Sequence, residues 1–405
     1  MEVTLVGVGL GNPTTLTAAA AAALQQADGL IGSRRLLEEC PLPQSVPRKF
    51  STKSAEIVEI LKGQDWQNPC VLYSGDTGFY SGARTLVPLL EAEHIPFQVL
   101  PGISSLQYFA ARLGRSWQEW SIVSAHGLSC DPVGEVLSAH GKPVFFLTSG
   151  SEGASSLCER LSQAGMGHLT ATVGQSLSYP QEEIFSDSVS RLAGRAFSPL
   201  TVLLVEGYTS CRPACSQGLP DEAFLRGDVP MTKQEVRAAA IGKLEVRDGE
   251  TYWDVGAGTG SVSVELALLA PHSQVCAVEC KGEACSLIRA NREKFGVYNL
   301  ELSQGRAPEI LAQLPAPDAV FLGGSGGELP AILEEALHKN PAARFCITAI
   351  AVETLGTAVA AMTQLGMEPQ ISQVTVARSR EAGALHLMMG QNPVWIITGR
   401  KEALV

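Results

Sequence analysis

Short runs of β-branched and other apolar residues alternate with longer stretches of helical periodicity along the whole chain. That rhythm predicts an α/β architecture with largely parallel sheets. The apolar runs place strands near residues 2–8, 29–31, 70–74 and 97–99, then near 120–125, 143–148, 169–174 and 200–206. The two groups predict two α/β lobes, about 1–115 and 116–208, of one domain. Between the first two strands, the alanine-rich stretch from Thr17 to Gln26 has high helix propensity and ends before Asp28-Gly29.

The pattern stops between Tyr208 and Pro220, where small, polar and proline residues take over. This stretch predicts a linker at 209–220 and a second domain over 221–405. Just beyond it, Thr232-Lys-Gln-Glu235 opens an amphipathic helix and reads as a capping box, hydroxyl and carboxylate each satisfying an orphan amide. From 251 the alternation is regular, with strands near 251–255, 274–279, 299–303, 318–322 and 344–349 separated by helices. Two final apolar runs, near 369–377 and 393–399, have no helix-length connection and are expected to pair antiparallel. Parallel crossovers closed by a hairpin predict a seven-stranded, Rossmann-like sheet.

At 405 residues the chain exceeds what one hydrophobic core organises, in keeping with two domains. Lys+Arg 30 against Asp+Glu 41 gives a net charge of −11, and the basic pairs Arg34-Arg35, Arg48-Lys49 and Arg378/Arg380 are scattered. No basic stripe runs along the sequence, so no nucleic-acid partner is expected. No apolar run is long enough to span a bilayer, and no leader pattern follows Met1, so a cytoplasmic protein without a membrane partner is expected. The ten cysteines include no CxxC, and no metal site is expected.

Two glycine-rich phrases carry the candidate chemistry. In Asp254-Val-Gly256-Ala257-Gly258-Thr259-Gly260-Ser261, glycines let the backbone leave the strand sharply and approach a ligand, and the next helix offers free amides. A dinucleotide fingerprint would need glycine at 261, which disfavours a dehydrogenase. The neighbouring strand ends in Glu279, whose carboxylate could accept both hydroxyl protons of a ribose. This constellation resembles the class I S-adenosylmethionine methyltransferases over the region from about 215 to the end. The finer likeness is to the decarboxylating methyltransferases of corrin biosynthesis, carried by Pro230-Met-Thr232-Lys-Gln-Glu-Val-Arg237, by Gly305-Arg-Ala307-Pro308 and by Gly323-Gly324-Ser325-Gly326-Gly327. The resemblance implies that Thr232, Gly256 to Gly260, Glu279 and Ala307 line a cofactor pocket. It also implies that Gly323 to Gly327 face the methyl group and the substrate.

In the other phrase, Val6-Gly7-Val8-Gly9-Leu10-Gly11-Asn12-Pro13, the Asn-Pro pair delays the helix and again disfavours a dinucleotide. Together with Ser74-Gly75-Asp76-Thr77-Gly78-Phe79-Tyr80-Ser81, Pro101-Gly-Ile-Ser104-Ser105, Ser124-Ala125-His126-Gly127, Gly174-Gln-Ser-Leu177 and Pro199-Leu200-Thr201, it resembles the tetrapyrrole methylases. These class III enzymes hold the cofactor between two α/β lobes. The likeness spans residues 1 to about 207, with Leu10 and Thr77 standing where the family often has proline. It implies that Gly75, Asp76, Thr77, Phe79, Tyr80, Ser104, Ser105, Ala125, His126, Leu177, Leu200 and Thr201 hold the cofactor. Gly9, Leu10 and Gly11 would face the substrate.

Jointly the resemblances imply one S-adenosylmethionine site per domain and two C-methylations of a late precorrin, at C5 and C15. Carbon dioxide would leave the acetate on C12, as a step of cobalamin biosynthesis. The substrate would be an anionic tetrapyrrole, for which Arg237, Arg378 and Arg380 are candidate anchors. Related methyltransferases are commonly oligomeric, so a homo-oligomer is expected. An RNA methyltransferase, and a fusion with one degenerate half, remain open alternatives.

Overall fold

Nearly every residue of Val3–Gly7, Gly29–Gly32 and Pro69–Tyr73 is buried, as strands covered on both faces require. The computed structural model, which describes residues 1–40, 45–126, 130–148, 153–209 and 217–401, places these strands at the centre of a five-stranded sheet. Its strands are β1 (Val3–Gly7), β2 (Gly29–Gly32), β3 (Arg48–Phe50), β4 (Pro69–Tyr73) and β5 (Phe97–Leu100), in the order β3-β2-β4-β1-β5. Every pairing is parallel. Val3, Leu5, Ile31 and Val71 pack on one face with Ile57, Leu86 and Leu90, while Val6, Leu30 and Leu72 pack on the other with Leu24 and Leu36. The expected first helix is Ala18–Gln25, capped by the Thr17 side chain on the Ala20 amide.

A second sheet holds β6 (Ser121–Ser124), β7 (Val144–Leu147), β8 (Thr170–Gln175), β9 (Glu183–Ser188) and β10 (Thr201–Glu206), in the order β6-β7-β10-β8-β9. Here the expectation of largely parallel pairing fails. Only β6 and β7 are parallel, and the other three pairings are antiparallel. The connection from Gln175 to Glu183 is too short for a crossover, so the chain must return beside itself. Strand β9, Glu-Ile-Phe-Ser-Asp-Ser, is a half-exposed edge whose polarity hid it in the sequence.

The chain divides into two compact units. The first comprises Met1–Cys130, Lys142–Ser162 and Gly167–Glu206, and the second comprises Asp131–Gly141, Gln163–Met166 and Gly207–Val405. Residues 210–216 of the expected linker, and Gly127 of the Ser-Ala-His-Gly phrase, lie outside the described residues.

The second unit contains a seven-stranded sheet. It is built from β11 (Thr251–Val255), β12 (Gln274–Glu279), β13 (Leu300–Gln304), β14 (Ala319–Leu322), β15 (Arg344–Ala349), β16 (Gln370–Val374) and, after an excursion, β19 (Val394–Gly399), in the order β13-β12-β11-β14-β15-β19-β16. Five strands are parallel, and β19 pairs antiparallel with both β15 and β16, as its lack of a crossover demands. Between β16 and β19 the chain forms a separate hairpin of β17 (Ala377–Ala382) and β18 (Leu385–Gly390), all of β18 being exposed.

The capping box at Thr232 is not formed. The helix runs Gln234–Leu244 with Lys233 at its N-cap and no side-chain cap bond from that residue. Instead the Asp221 carboxylate accepts from the Gln234 amide at 2.9 Å, and Glu235 turns to Arg378. A charged acceptor makes a stronger bond to an amide than a hydroxyl does, so the upstream aspartate takes the position.

Candidate active sites

In the second unit, β11 runs into three glycines of positive φ, Gly256 (+73°), Gly258 (+55°) and Gly260 (+77°), before the helix Ser261–Leu269. A side chain at 256 would overlap the Gly324 carbonyl, so glycine there lets this turn meet the loop after β14. The Gly256 and Ala257 amides bond the Val278 carbonyl at 3.0 and 3.1 Å. A Cβ at 258 would lie 2.8 Å from the Pro230 carbonyl, which places the segment leading to Thr232 over the turn. Ala307 packs, half-buried, against the adjoining core. Gly323, Gly324, Gly326 and Gly327 are exposed, with Ser325 half-buried among them, and no neighbour fills the Cβ positions of 324 and 327.

Glu279 reaches the turn from the end of β12. One oxygen accepts from the Gly258 amide at 3.0 Å and the other from the amides of Cys280 and Lys281 at 2.8 and 3.0 Å. An ionised carboxylate has about four lone-pair positions, so a ribose that uses both its hydroxyls must displace one of these amides. Below it, Asp254 is fully buried. Its Oδ2 accepts from the Ser263 hydroxyl, while its Oδ1 and the buried Thr259 hydroxyl have no partner. Burial pushes the Asp254 carboxyl up to about 7, the Ser263 bonds oppose this, and the Glu279 charge adds to it. Orphaned polar atoms beneath a glycine turn fit a site that receives a polar ligand.

Two of the three expected substrate anchors are already engaged. Arg237 is completely buried, donating to Glu265 at 2.5 Å and to the carbonyls of Thr232 and Leu219, with Asp221 at 3.4 Å. It holds the fold together and cannot meet a substrate. Arg378 grips Glu235 at 2.6 and 3.0 Å and Asp221 at 3.0 Å, whereas Arg380 is exposed on β17. The sequence reading missed Arg306, an exposed cation whose guanidinium lies 3.5 Å from the Gly326 carbonyl, although it stands inside the Gly-Arg-Ala-Pro phrase.

In the first unit, a cavity of about 290 Å³ gathers Leu10, Gly75, Asp76, Phe79, Tyr80, Ser105, His126, Leu177, Leu200 and Thr201 from six separate stretches of sequence. The expected residues Thr77, Ser104 and Ala125 do not line it. Thr77 is buried with its hydroxyl on the Leu100 carbonyl, Ser104 caps the helix Ser105–Leu113 in a true capping box, and Ala125 is fully buried. Asp76 lines the cavity, but its two oxygens accept from the Gly78 and Gly102 amides at 2.8 and 3.0 Å. It therefore ties two loops together. Gly9 pairs with Gly75 through reciprocal amide bonds of 3.1 and 2.7 Å. Gly11, at φ +94°, leaves room for the Tyr179 ring.

Sequence reasoning also missed Arg35, Tyr73, Thr148 and Tyr179 in the cavity lining. Ser176 and Ser178 have φ of +49° and +72°, and the Tyr179 amide donates to the Ser176 carbonyl at 3.0 Å. Ser178 is clamped to the first turn by its hydroxyl on the Leu10 carbonyl and by its own carbonyl on the Asn12 amide group. Burial pushes the Tyr179 phenol above its usual range, so it remains a hydroxyl. Non-glycine residues at positive φ are invisible to apolar patterning.

Among the described residues no group of three or more His, Cys, Asp or Glu side chains is arranged to hold a metal ion, and no helix is long and apolar enough to cross a membrane.

Two family models match the chain in succession: the Tetrapyrrole (Corrin/Porphyrin) Methylases over residues 2–193 and the Precorrin methyltransferase domain over residues 222–401. A decarboxylating precorrin-6Y C(5,15)-methyltransferase from Sinorhizobium sp is 30% identical over 400 residues, covering 92% of this chain and 93% of its own. The decarboxylating cobalt-precorrin-6B C(15)-methyltransferase of Salmonella typhimurium is 41% identical over 187 residues, 45% of this chain and 96% of that protein. Among solved structures, a precorrin-6Y C5,15-methyltransferase from Geobacter metallireducens is 36% identical, with a TM-score of 0.44, over 46% of this chain and 97% of its own.

Proposed function

Since the chain belongs to the family of decarboxylating precorrin-6Y C5,15-methyltransferases, we propose that its first unit methylates C5 of a late precorrin while its second methylates C15 and releases carbon dioxide from the C12 acetate. Each unit would hold its own S-adenosylmethionine. The observation that supports this division is that each unit presents a separate site: a lined cavity in the first, and a glycine turn over orphaned polar atoms in the second.

S-adenosylmethionine supplies an electrophilic methyl group on a sulfonium. The meso carbons of a reduced tetrapyrrole are enamine-like and nucleophilic, so neither transfer requires a nucleophile from the protein. The chain's task is to align, to exclude water and to manage charge. In the second unit Glu279 would hold the ribose, with the turn Gly256 to Gly260 and the segment at Thr232 enclosing the rest. The loop Gly323 to Gly327, next to Arg306, would take the substrate side. In the first unit Tyr80, Ser105, His126, Leu177 and Leu200 would enclose the cofactor, Asp76 would fix the loop beneath it, and Leu10 would face the ring. Loss of carbon dioxide leaves an electron pair that the conjugated macrocycle accepts, so no metal or electron carrier is needed for it.

We also infer a homo-oligomer, supported by Leu385, Leu387, Met388 and Met389, which expose an apolar strand on the hairpin.

The test is to supply the full chain with precorrin-6Y and methyl-labelled S-adenosylmethionine. Mass spectrometry should show two labelled methyl groups and the loss of one carbon dioxide. Glu279→Ala should stop the C15 methylation while leaving the C5 methylation. A calorimetric titration giving one cofactor per chain would overturn the two-site reading, and label transferred to RNA would overturn the substrate.

A further inference from the structure

The first unit is to meet a polycarboxylate beside its cofactor, yet Arg35 is the one Lys or Arg among the described residues that line its cavity. Its helix, Arg34–Glu39, is pinned by the buried Leu36 and Leu37, and the two adjacent arginines diverge. Arg34 lies over the Phe50 ring at 5.7 Å, while Arg35 enters the cavity lining. The Arg35 guanidinium donates to the Tyr179 hydroxyl at 2.7 Å, to Glu39 at 3.0 Å and to Ser74 at 3.2 Å. Tyr179 in turn donates to the same Glu39 oxygen at 3.1 Å. These bonds use three of the five N–H groups of an arginine, and two remain for a ligand.

Glu39 is the weak member of this set. It pairs with Arg35 on the same short helix with both side chains 35% exposed, a situation in which an ion pair contributes little. One oxygen of its carboxylate accepts from both the Arg35 guanidinium and the Tyr179 phenol, a charge-assisted donor pair suited to a carboxylate. The turn leading to Tyr179 holds Ser176 and Ser178 at positive φ, and backbone strain of this kind is retained where a ligand is clamped.

We propose that Arg35, with Tyr179, is the receptor for one peripheral carboxylate of the tetrapyrrole in the first unit, and that Glu39 stands in for that carboxylate until the substrate arrives. The inference rests on the reading of the first unit as a precorrin methylase. Binding exchanges one carboxylate for another on the same guanidinium, so the cavity never holds an unpaired cation.

The experiment measures methyl addition at C5 by the full chain, as a function of precorrin concentration. Arg35→Gln is expected to raise KM for the tetrapyrrole by roughly 10- to 100-fold, as loss of a charge-assisted bond pair does, with kcat and S-adenosylmethionine affinity near wild type. Glu39→Gln removes the competing carboxylate and is expected to lower KM several-fold. A mere structural latch predicts the opposite, since either variant would break the same pair and both would raise KM. An unchanged KM in Arg35→Gln, a raised KM in Glu39→Gln, or loss of cofactor affinity in Arg35→Gln overturns the proposal. If wild-type chain transfers no methyl to a precorrin, the parent reading fails instead. The receptor is then judged with uroporphyrin III by fluorescence titration, where an affinity indifferent to Arg35→Gln overturns it and a weakened one supports it.

Discussion

Both units turn the chain on glycines at the end of a first parallel strand, but the polar groups buried behind the two turns differ in kind. Around the first turn the buried polar side chains are hydroxyls, among them Thr15, Thr77, Ser104, Ser176 and Ser178, and the charges of Arg35 and Glu39 stay at the partly exposed rim. Around the second, Asp221, Arg237, Asp254, Glu265 and Glu279 are all buried. A hydroxyl is satisfied by one or two bonds and does not titrate near neutrality. A buried carboxylate needs a cation or several amides, and losing either leaves an uncompensated charge. The buried groups behind the first turn should therefore tolerate changes of pH that those behind the second register.

The harshest way to break this contrast is Glu265→Ala. Glu265 accepts from the Gly218 and Leu219 amides at 2.8 and 2.9 Å as well as from Arg237, so its removal leaves a buried guanidinium with the more distant Asp221 as its counter-charge and two buried amides unmet. A loss of roughly 3–5 kcal/mol is expected, confined to the second unit when hydrogen exchange is followed peptide by peptide. Equal loosening of both units would refute the contrast.

Asp254→Asn sharpens it through pH. Burial raises the Asp254 carboxyl from 3.8 to about 7, so the folded state holds this proton more tightly than the unfolded chain does. The stability contributed by that proton is complete below about pH 4 and is lost as pH rises through about 7. Asparagine has no such proton to lose. The variant should therefore gain on wild type by roughly 2–3 kcal/mol between pH 5 and pH 8, read from urea midpoints of the second unit. A constant difference would show that Asp254 is already ionised at pH 5.

Gly11→Ala addresses the first turn. Its φ of +94° strains any side chain, and a Cβ would overlap the Tyr179 hydroxyl, the movable end of a ring. We expect a loss of roughly 1–2 kcal/mol from the backbone conformation, independent of pH between 5 and 8, together with a raised KM for the tetrapyrrole in C5 methylation. A pH-dependent loss would mean that the first turn is also backed by a titrating group.

Much of the fold was legible because burial on both faces leaves unbroken apolar runs, as in Val275 to Val278 of β12, or Val320 to Leu322 of β14. Strands that lack such runs were missed. Arg48–Phe50 is short and exposed, Glu183–Ser188 is a polar edge, and Ala377–Gly390 folds on itself away from any core. The site was legible where glycine is required by backbone geometry, at 9, 11, 256, 258 and 260. It was illegible where tertiary partners decide a side chain's role. Nothing local distinguishes the buried Arg237 from the cavity's Arg35, because Glu265 and Tyr179, which settle the matter, lie 28 and 144 residues away. Thr232 lost its capping position to Asp221 for the same reason.

The hairpin of β17 and β18 sets where the methionines of the chain begin to oxidise. Met388 and Met389 are 65% and 49% exposed there, whereas Met166 and Met362 are fully buried. Peroxide adds oxygen to an accessible thioether first, turning a greasy side chain into a polar sulfoxide. Methionine oxidation therefore begins on this strand, far along the sequence from either glycine turn, and whatever shields the hairpin in solution also sets how slowly it proceeds.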